Sequence, residues 1–264
     1  MKKADVIIFG GQSNMQGQTD CLTENEVVAG AYEYKFIGDT LVELKNPVGE
    51  NITVEKKQGY YAVKGEGQRW LADHITGGAC SGYTNMVPEF CREYIRSTGN
   101  NVIAAHIAKG STEIAQWMPG TLGYELIVEK TSGAIKKAQD AGFEIDKVLI
   151  VWLQGESDAV FERTKAYYKE KITALNEALK KDLNVSKFGI IRVGRFTGDA
   201  RDDEIISAQE EICAENPDFI MLTRKAEELN AIPEYMNKDV PGHYSSRGQE
   251  ILGKLAAEGF VKAR

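Results

Sequence analysis

Residues 6–15 read Val-Ile-Ile-Phe-Gly-Gly-Gln-Ser-Asn-Met. Val6 to Phe9 are apolar without alternation, which predicts a strand buried on both faces, as in a parallel sheet covered by helices. Gly10 and Gly11 then let the backbone bend tightly. The turn carries Ser13 to the carboxyl edge of the expected sheet, where open α/β folds gather their function. A helix starting soon after the serine would aim free N–H groups and its positive end at an anion. The same glycines would also serve to close a plain turn or to cradle a phosphate, although the spacing is neither GxxxxGK[ST] nor GxSxG.

The pattern of residues 6–9 recurs along the chain. Val102 to Ile107, Val148 to Leu153, Phe188 to Val193 and Phe219 to Leu222 are further apolar, β-branched runs of strand length. Between them, Val87 to Arg96, Tyr124 to Ala141, Lys165 to Leu183, Glu204 to Ala214 and Ser246 to Val261 repeat apolar residues at helical spacing. Gly99 and Gly142 follow two of these stretches, as helix-ending glycines do. Strands alternating with helices imply right-handed βαβ units, hence a three-layer α/β/α sandwich with a central parallel sheet, of flavodoxin-like type. Residues 20–84 break the rhythm. There Glu33 to Leu44 and Thr53 to Val63 alternate like the arms of a hairpin, and the segment reads as an insertion bordering the site. With no repeat and no linker rich in Pro, Gly or Ser, residues 1–264 are expected to form one domain.

Composition narrows the partners. Hydrophobic residues make up 42% of the 264 and charged residues 27%, an ordinary globular balance. A formal charge of -7 without a basic cluster argues against nucleic acid as a partner. The apolar start after Met1-Lys2-Lys3 is too short for a signal peptide, and Val148 to Leu153 falls far short of the ~20 residues that cross a bilayer. A cytoplasmic protein with no membrane partner is expected. Cys21, Cys80, Cys91 and Cys213 lack paired spacing and are read as free thiols, while His74, His106 and His243 are too scattered for a metal site. No metal and no cofactor are expected.

Three more segments could carry chemistry. Asp239-Val240-Pro241-Gly242-His243-Tyr244-Ser245 sets a histidine beside a carboxylate, just before the last helix. A serine hydroxyl needs such a base, and histidine's unperturbed pKa of ~6.5 suits the task. Ala108-Lys109-Gly110-Ser111-Thr112 and Gln154-Gly155-Glu156-Ser157-Asp158 each follow a buried strand, where a glycine N–H or a side-chain amide could donate to an oxyanion. Taken singly, Gly110 could be a turn glycine, Gln154 a strand cap and His243 a surface residue. His106, inside an apolar strand, reads as a hydrogen-bonded core residue, and Trp117 and Trp152 as packing residues or sugar-facing rings.

The segments taken together, in this order, resemble the SGNH hydrolases, and more narrowly the sialate O-acetylesterase and acetylxylan esterase branch, carbohydrate esterase family six. Gly-Gln-Ser-Asn-Met and Gln-Gly-Glu-Ser-Asp are the specific blocks, and the likeness spans nearly the whole chain. It implies a serine esterase that removes O-acetyl groups from a carbohydrate through an acyl-enzyme. Ser13 is then the nucleophile and His243 the base, with the Ser13 N–H, the Gly110 N–H and the Gln154 amide as oxyanion donors. Gln12, Asn14, Glu156 and Tyr244 are further candidates for contact with substrate.

The family's acid lies three residues before the histidine, where this chain has Val240. Pro241-Gly242 suits the centre of a type II turn that would bring His243 back to Asp239, so Asp239 is the expected acid and Glu156 its substitute. A lipase or thioesterase of the same superfamily and a carbohydrate-binding protein without turnover are the competing readings.

Overall fold

The computed structural model describes residues 2–20, 26–36, 38–50 and 84–263. Strand β1 (Lys2–Gly11) is the centre of a seven-stranded sheet. On one side of it lie β4 (Asn101–Ala108), β2 (Ala31–Lys35) and β3 (Thr40–Glu43); on the other lie β5 (Phe143–Leu153), β6 (Val185–Ile191) and β7 (Phe219–Thr223). All neighbours are parallel except β2 and β3.

The central strand has the two-sided burial its composition calls for: Val6 to Phe9 are at most 1% exposed. Helices α2 (Val87–Thr98) and α8 (Ser246–Lys262) pack on each other over one face. Helices α3 (Leu122–Asp140), α5 (Lys165–Leu183) and α6 (Ala200–Glu215) cover the other. Phe90 of α2 meets both Phe9 and Phe260 edge-on, joining helix, strand and helix in one aromatic contact. Two shorter helices, α4 (Glu156–Val160) and α7 (Lys225–Asn230), follow β5 and β7. The expected three-layer α/β/α architecture is therefore observed, and the long helices match their expected ranges closely.

The hairpin differs from expectation. Glu33 to Leu44 does not wait for Thr53 to Val63; it folds back on itself, with Tyr32 opposite Glu43 and Lys35 opposite Thr40. The reversal is local because Asp39 adopts a left-handed conformation (φ 50°) and accepts a hydrogen bond from Tyr34 Oη at 2.9 Å. Nor does this pair stand apart from the sheet, since β2 pairs parallel with β4. Thr53 to Val63 lie outside the described residues.

Strand order fixes where a site can form. After β1 the chain adds strands on the β4 side and then crosses to begin β5 on the opposite side, so the connections diverge at β1 and open a crevice at its carboxyl end. The register aligns Gly11 with Ala108 on one side and with Leu153 on the other. Three strands thus end level, and the loops beginning at Gln12, Lys109 and Gln154 leave side by side.

Candidate active site

Gly11 makes the turn out of β1. Its φ is +149°, and a Cβ there would lie 2.0 Å from the Leu153 carbonyl oxygen, so only glycine fits. The chain then enters the one-turn helix α1 (Ser13–Gln16), which places Ser13 at its first position. From the far end of the sequence, Val240 to His243 form a β-turn: the His243 N–H donates to the Val240 carbonyl at 3.2 Å and Gly242 has φ +79°. Ser245, two residues on, caps α8 by accepting from the Gly248 N–H at 3.2 Å.

These two loops bring Ser13 and His243 together. His243 Nε2 lies 2.8 Å from Ser13 Oγ. The imidazole is 8% exposed, and burial lowers its pKa below the ordinary 6.5, opposed by hydrogen bonds to the Pro241 and Val240 backbone. Phe196, from the loop after β6, stands edge-on to the ring at a centroid distance of 6.0 Å.

The structure does not join Asp239 to His243. Asp239 is exposed, and the turn delivers the Pro241 carbonyl to the imidazole instead, 3.0 Å from Nδ1. The turn forms as the sequence suggests, but its own backbone oxygen takes the place foreseen for the carboxylate. Glu156 does not reach the ring either. Its Oε1 accepts from Asn14 Nδ2 at 2.8 Å, and its other oxygen is buried without a partner among the described residues. Burial raises the Glu156 pKa, and the Asn14 hydrogen bond only partly offsets this.

Gly110 lies close to the serine: a Cβ built on it would sit 3.3 Å from Ser13 Cβ. Its N–H donates to Gln16 Oε1 at 3.0 Å. Gln154 is placed differently from expectation. It is wholly buried, and its amide nitrogen donates to the Thr112 carbonyl at 3.0 Å and to Asp158 Oδ2, while its oxygen accepts from Tyr168 Oη at 3.1 Å. Both amide hydrogens are thereby engaged, and Gln154 acts as a bracket between loops.

Asp158 completes that bracket. It accepts from the Ile114 N–H at 3.0 Å, tying the loop of Gly110 to the loop of Gln154, and desolvation pushes its pKa up to about 7. Gln12 faces inward as well: its Oε1 accepts from the Ser157 N–H at 3.1 Å and the Gly155 N–H at 3.3 Å, at the start of α4. Tyr244 is 2% exposed and donates to the Ala226 carbonyl at 3.2 Å. Gln12, Asn14, Glu156 and Tyr244 are all buried around the Ser13–His243 pair, and each makes at least one hydrogen bond to protein.

The remaining candidates fall into the core. His106 Nε2 meets the Met15 carbonyl at 3.0 Å and burial drops its pKa to about 4, which keeps it neutral. Trp117 and Trp152 pack edge-on at 5.8 Å, both buried. Cys91 and Cys213 are free thiols. His74, Cys21 and Cys80 lie outside the described residues. Among the described residues no group of three or more His, Cys, Asp or Glu could hold a metal ion, and no helix is long and apolar enough to cross a membrane.

Sequence reasoning missed Gln16 and Phe196. Gln16 has no signal beyond its place three residues after the serine, while Phe196 stands in a loop that leaves the same sheet edge after β6.

Ser13 and His243 are in hydrogen-bond contact at the switch point of a doubly wound sheet, a fold that matches the SGNH hydrolases. The chain belongs to the family described as carbohydrate esterase, sialic acid-specific acetylesterase, whose model matches residues 3–262. A probable carbohydrate esterase from Arabidopsis thaliana is 33% identical over 205 residues, covering 77% of this chain and 74% of the relative. The fold is similar to that of an Arabidopsis thaliana protein of known crystal structure, with a TM-score of 0.67 at 17% identity over 99% of each chain. It is likewise similar to the crystal structure of NanS, with a TM-score of 0.61 at 13% identity over 99% of this chain and 96% of the other. The resemblance carried by the two sequence blocks is thus borne out at the level of the family.

Proposed function

We propose that this chain is a serine esterase that removes O-acetyl groups from a carbohydrate through an acyl-enzyme. The observation that carries the reading is the 2.8 Å contact between Ser13 Oγ and His243 Nε2 beside the Gly110 N–H. The Pro241 carbonyl accepts a hydrogen bond from Nδ1 only if Nδ1 bears the proton, which in the neutral ring leaves Nε2 unprotonated and facing the serine hydroxyl. In acylation Ser13 Oγ bonds to the acetyl carbon and its proton passes to Nε2. The carbonyl electron pair moves onto oxygen, which takes the Gly110 N–H from Gln16 and can share the Ser13 N–H. Collapse expels the sugar alkoxide, which leaves as the alcohol with the proton from Nε2. Water then repeats the sequence on the acyl-enzyme and releases acetate.

A carbonyl differs from a carboxylate as a partner for the ring. It fixes the tautomer, yet it offers the imidazolium formed during reaction no opposite charge, and hydrogen bonds with one ionised partner are roughly twice as strong as neutral ones. Orientation is supplied by the turn and charge stabilisation is left to solvent and backbone dipoles. The carbohydrate rests on family membership, and acetyl is the acyl group the family description names.

The test is hydrolysis of p-nitrophenyl acetate against the octanoate, followed by acetate release from acetylated xylan, O-acetyl sialic acids and acetylated monosaccharides. Preference for the acetate together with release from one of the sugars is expected. Preference for the octanoate would point to a lipase or thioesterase, and no phenolate burst with either ester would leave a carbohydrate-binding protein.

A further inference from the structure

The residue after the serine forms a bridge that the proposed chemistry does not itself require. Asn14 Nδ2 donates to the Gly242 carbonyl at 3.3 Å, and Asn14 Oδ1 accepts from the Tyr244 N–H at 3.3 Å. One amide therefore holds the peptide groups on both sides of His243. The same Nδ2 donates to Glu156 Oε1 at 2.8 Å, and the Asn14 backbone carbonyl accepts from Gln249 Nε2 of α8 at 2.7 Å. Asn14 is 2% exposed and Glu156 is 2% exposed, so water does not compete for these bonds.

We propose that Asn14, seated on the Glu156 carboxyl, is the positioning residue for His243, locking the histidine loop onto the serine loop. The inference rests on the reading of Ser13 as nucleophile and His243 as base. In a triad a carboxylate orients the ring from behind; here the ring partner is a carbonyl only two residues away in the same turn, which cannot fix that turn relative to Ser13. Asn14 supplies the missing constraint from the serine's own helix. An amide suits the place because it donates at one end and accepts at the other: aspartate loses the donor to Gly242 and Glu156, and an apolar residue loses both. Glu156 sets which way the amide points, since its Oε1 accepts from Nδ2 and so turns Oδ1 toward Tyr244. Burying a carboxyl whose Oε2 has no partner among the described residues is costly, and that cost falls at the foot of the latch.

The experiment compares Asn14→Ala, Glu156→Gln and Glu156→Met in the full chain. Reactive sites are counted with a fluorophosphonate, and the ¹⁵N signals of the His243 ring are recorded alongside turnover of p-nitrophenyl acetate. Asn14→Ala should lower kcat per reactive site by about 10- to 100-fold with KM held within about twofold, as expected when a reacting group is displaced by a fraction of an ångström. The His243 ring signals should broaden or shift. Glu156→Gln keeps an oxygen for Asn14 and should lose least; Glu156→Met should match Asn14→Ala, and the double variant should be no worse than either alone.

Wild-type kcat per site with unchanged ring signals in Asn14→Ala would overturn the latch. If Asn14→Ala does not fold, the Glu156 pair asks the same question, and equal kcat for Gln and Met would overturn it. A wild-type chain that neither turns over ester nor takes up fluorophosphonate would defeat the esterase reading instead, and the ring signals of the variants would still decide the latch.

Discussion

His243 Nδ1 stands 3.0 Å from the carbonyl oxygen of Pro241, two residues back in its own turn, and no carboxylate among the described residues is hydrogen-bonded to the ring. The neighbouring Asp239 points to solvent. Asp239→Asn should therefore leave kcat/KM within about twofold of wild type, as for surface substitutions worth under ~0.5 kcal/mol. Steady-state kinetics with p-nitrophenyl acetate checks this, and a loss of orders of magnitude would restore Asp239 as the acid.

The same environment sets the pH profile. Burial lowers the His243 pKa below 6.5, and the base works only when neutral, so activity should rise with pH along a limb centred below 6.5. A profile of kcat/KM between pH 4 and 8 reads this directly. A limb centred above 7 would show that a carboxylate faces the imidazolium in the working enzyme.

Removal of the nucleophile should be severe and local. Ser13→Ala deletes one hydroxyl from a turn without opening a core cavity, and losses of about 10³-fold or more in kcat accompany such changes. The melting temperature should stay near that of wild type. An active and folded Ser13→Ala would end the mechanism.

In the proposed mechanism the developing oxyanion must take the Gly110 N–H from Gln16 Oε1. Because a neutral hydrogen bond is worth ~1 kcal/mol net, Gln16→Ala should raise kcat/KM by roughly fivefold at most. A fall of tenfold or more would mean that Gln16 holds the Gly110 loop in place.

Stability should carry the mark of Asp158. Its folded pKa of about 7 lies above the ordinary 3.8, so the folded state keeps a proton that the unfolded chain releases. This contribution is complete below pH 3.8 and is lost as pH rises through about 7. Melting temperatures of wild type and Asp158→Asn, taken from pH 5 to pH 8, should differ in slope, with the flatter curve in the variant. Gln154→Ala should act on the same bracket, costing about 1 to 3 kcal/mol through the lost amide bonds to Asp158 Oδ2 and the Thr112 carbonyl.

Much of this was legible in the residues. Apolar runs without alternation mark strands covered on both faces, and β1, β4, β5, β6 and β7 lie where those runs do. Helical spacing places the five long helices, with Lys165–Leu183 matched at both ends. The strand pair of residues 31–43 was not legible as part of the main sheet, because alternation reports one exposed face and says nothing of which edge the strand will join.

The sequence by itself determined the five strands of apolar runs, the loops that follow them and the family, because burial and turn formation are written in runs of neighbouring residues. Only the tertiary structure decided the partner of each polar atom. Asn14 and Glu156 are 142 positions apart and Asn14 and Gly242 are 228 apart, so nothing local couples them. Gln154 could have faced the crevice or the interior. Buried amides and carboxyls take whichever partner leaves the fewest unpaired groups, and that competition is resolved only when the loops meet. For His243 it was resolved in favour of a backbone oxygen held in place by the same Pro-Gly turn that the sequence announced.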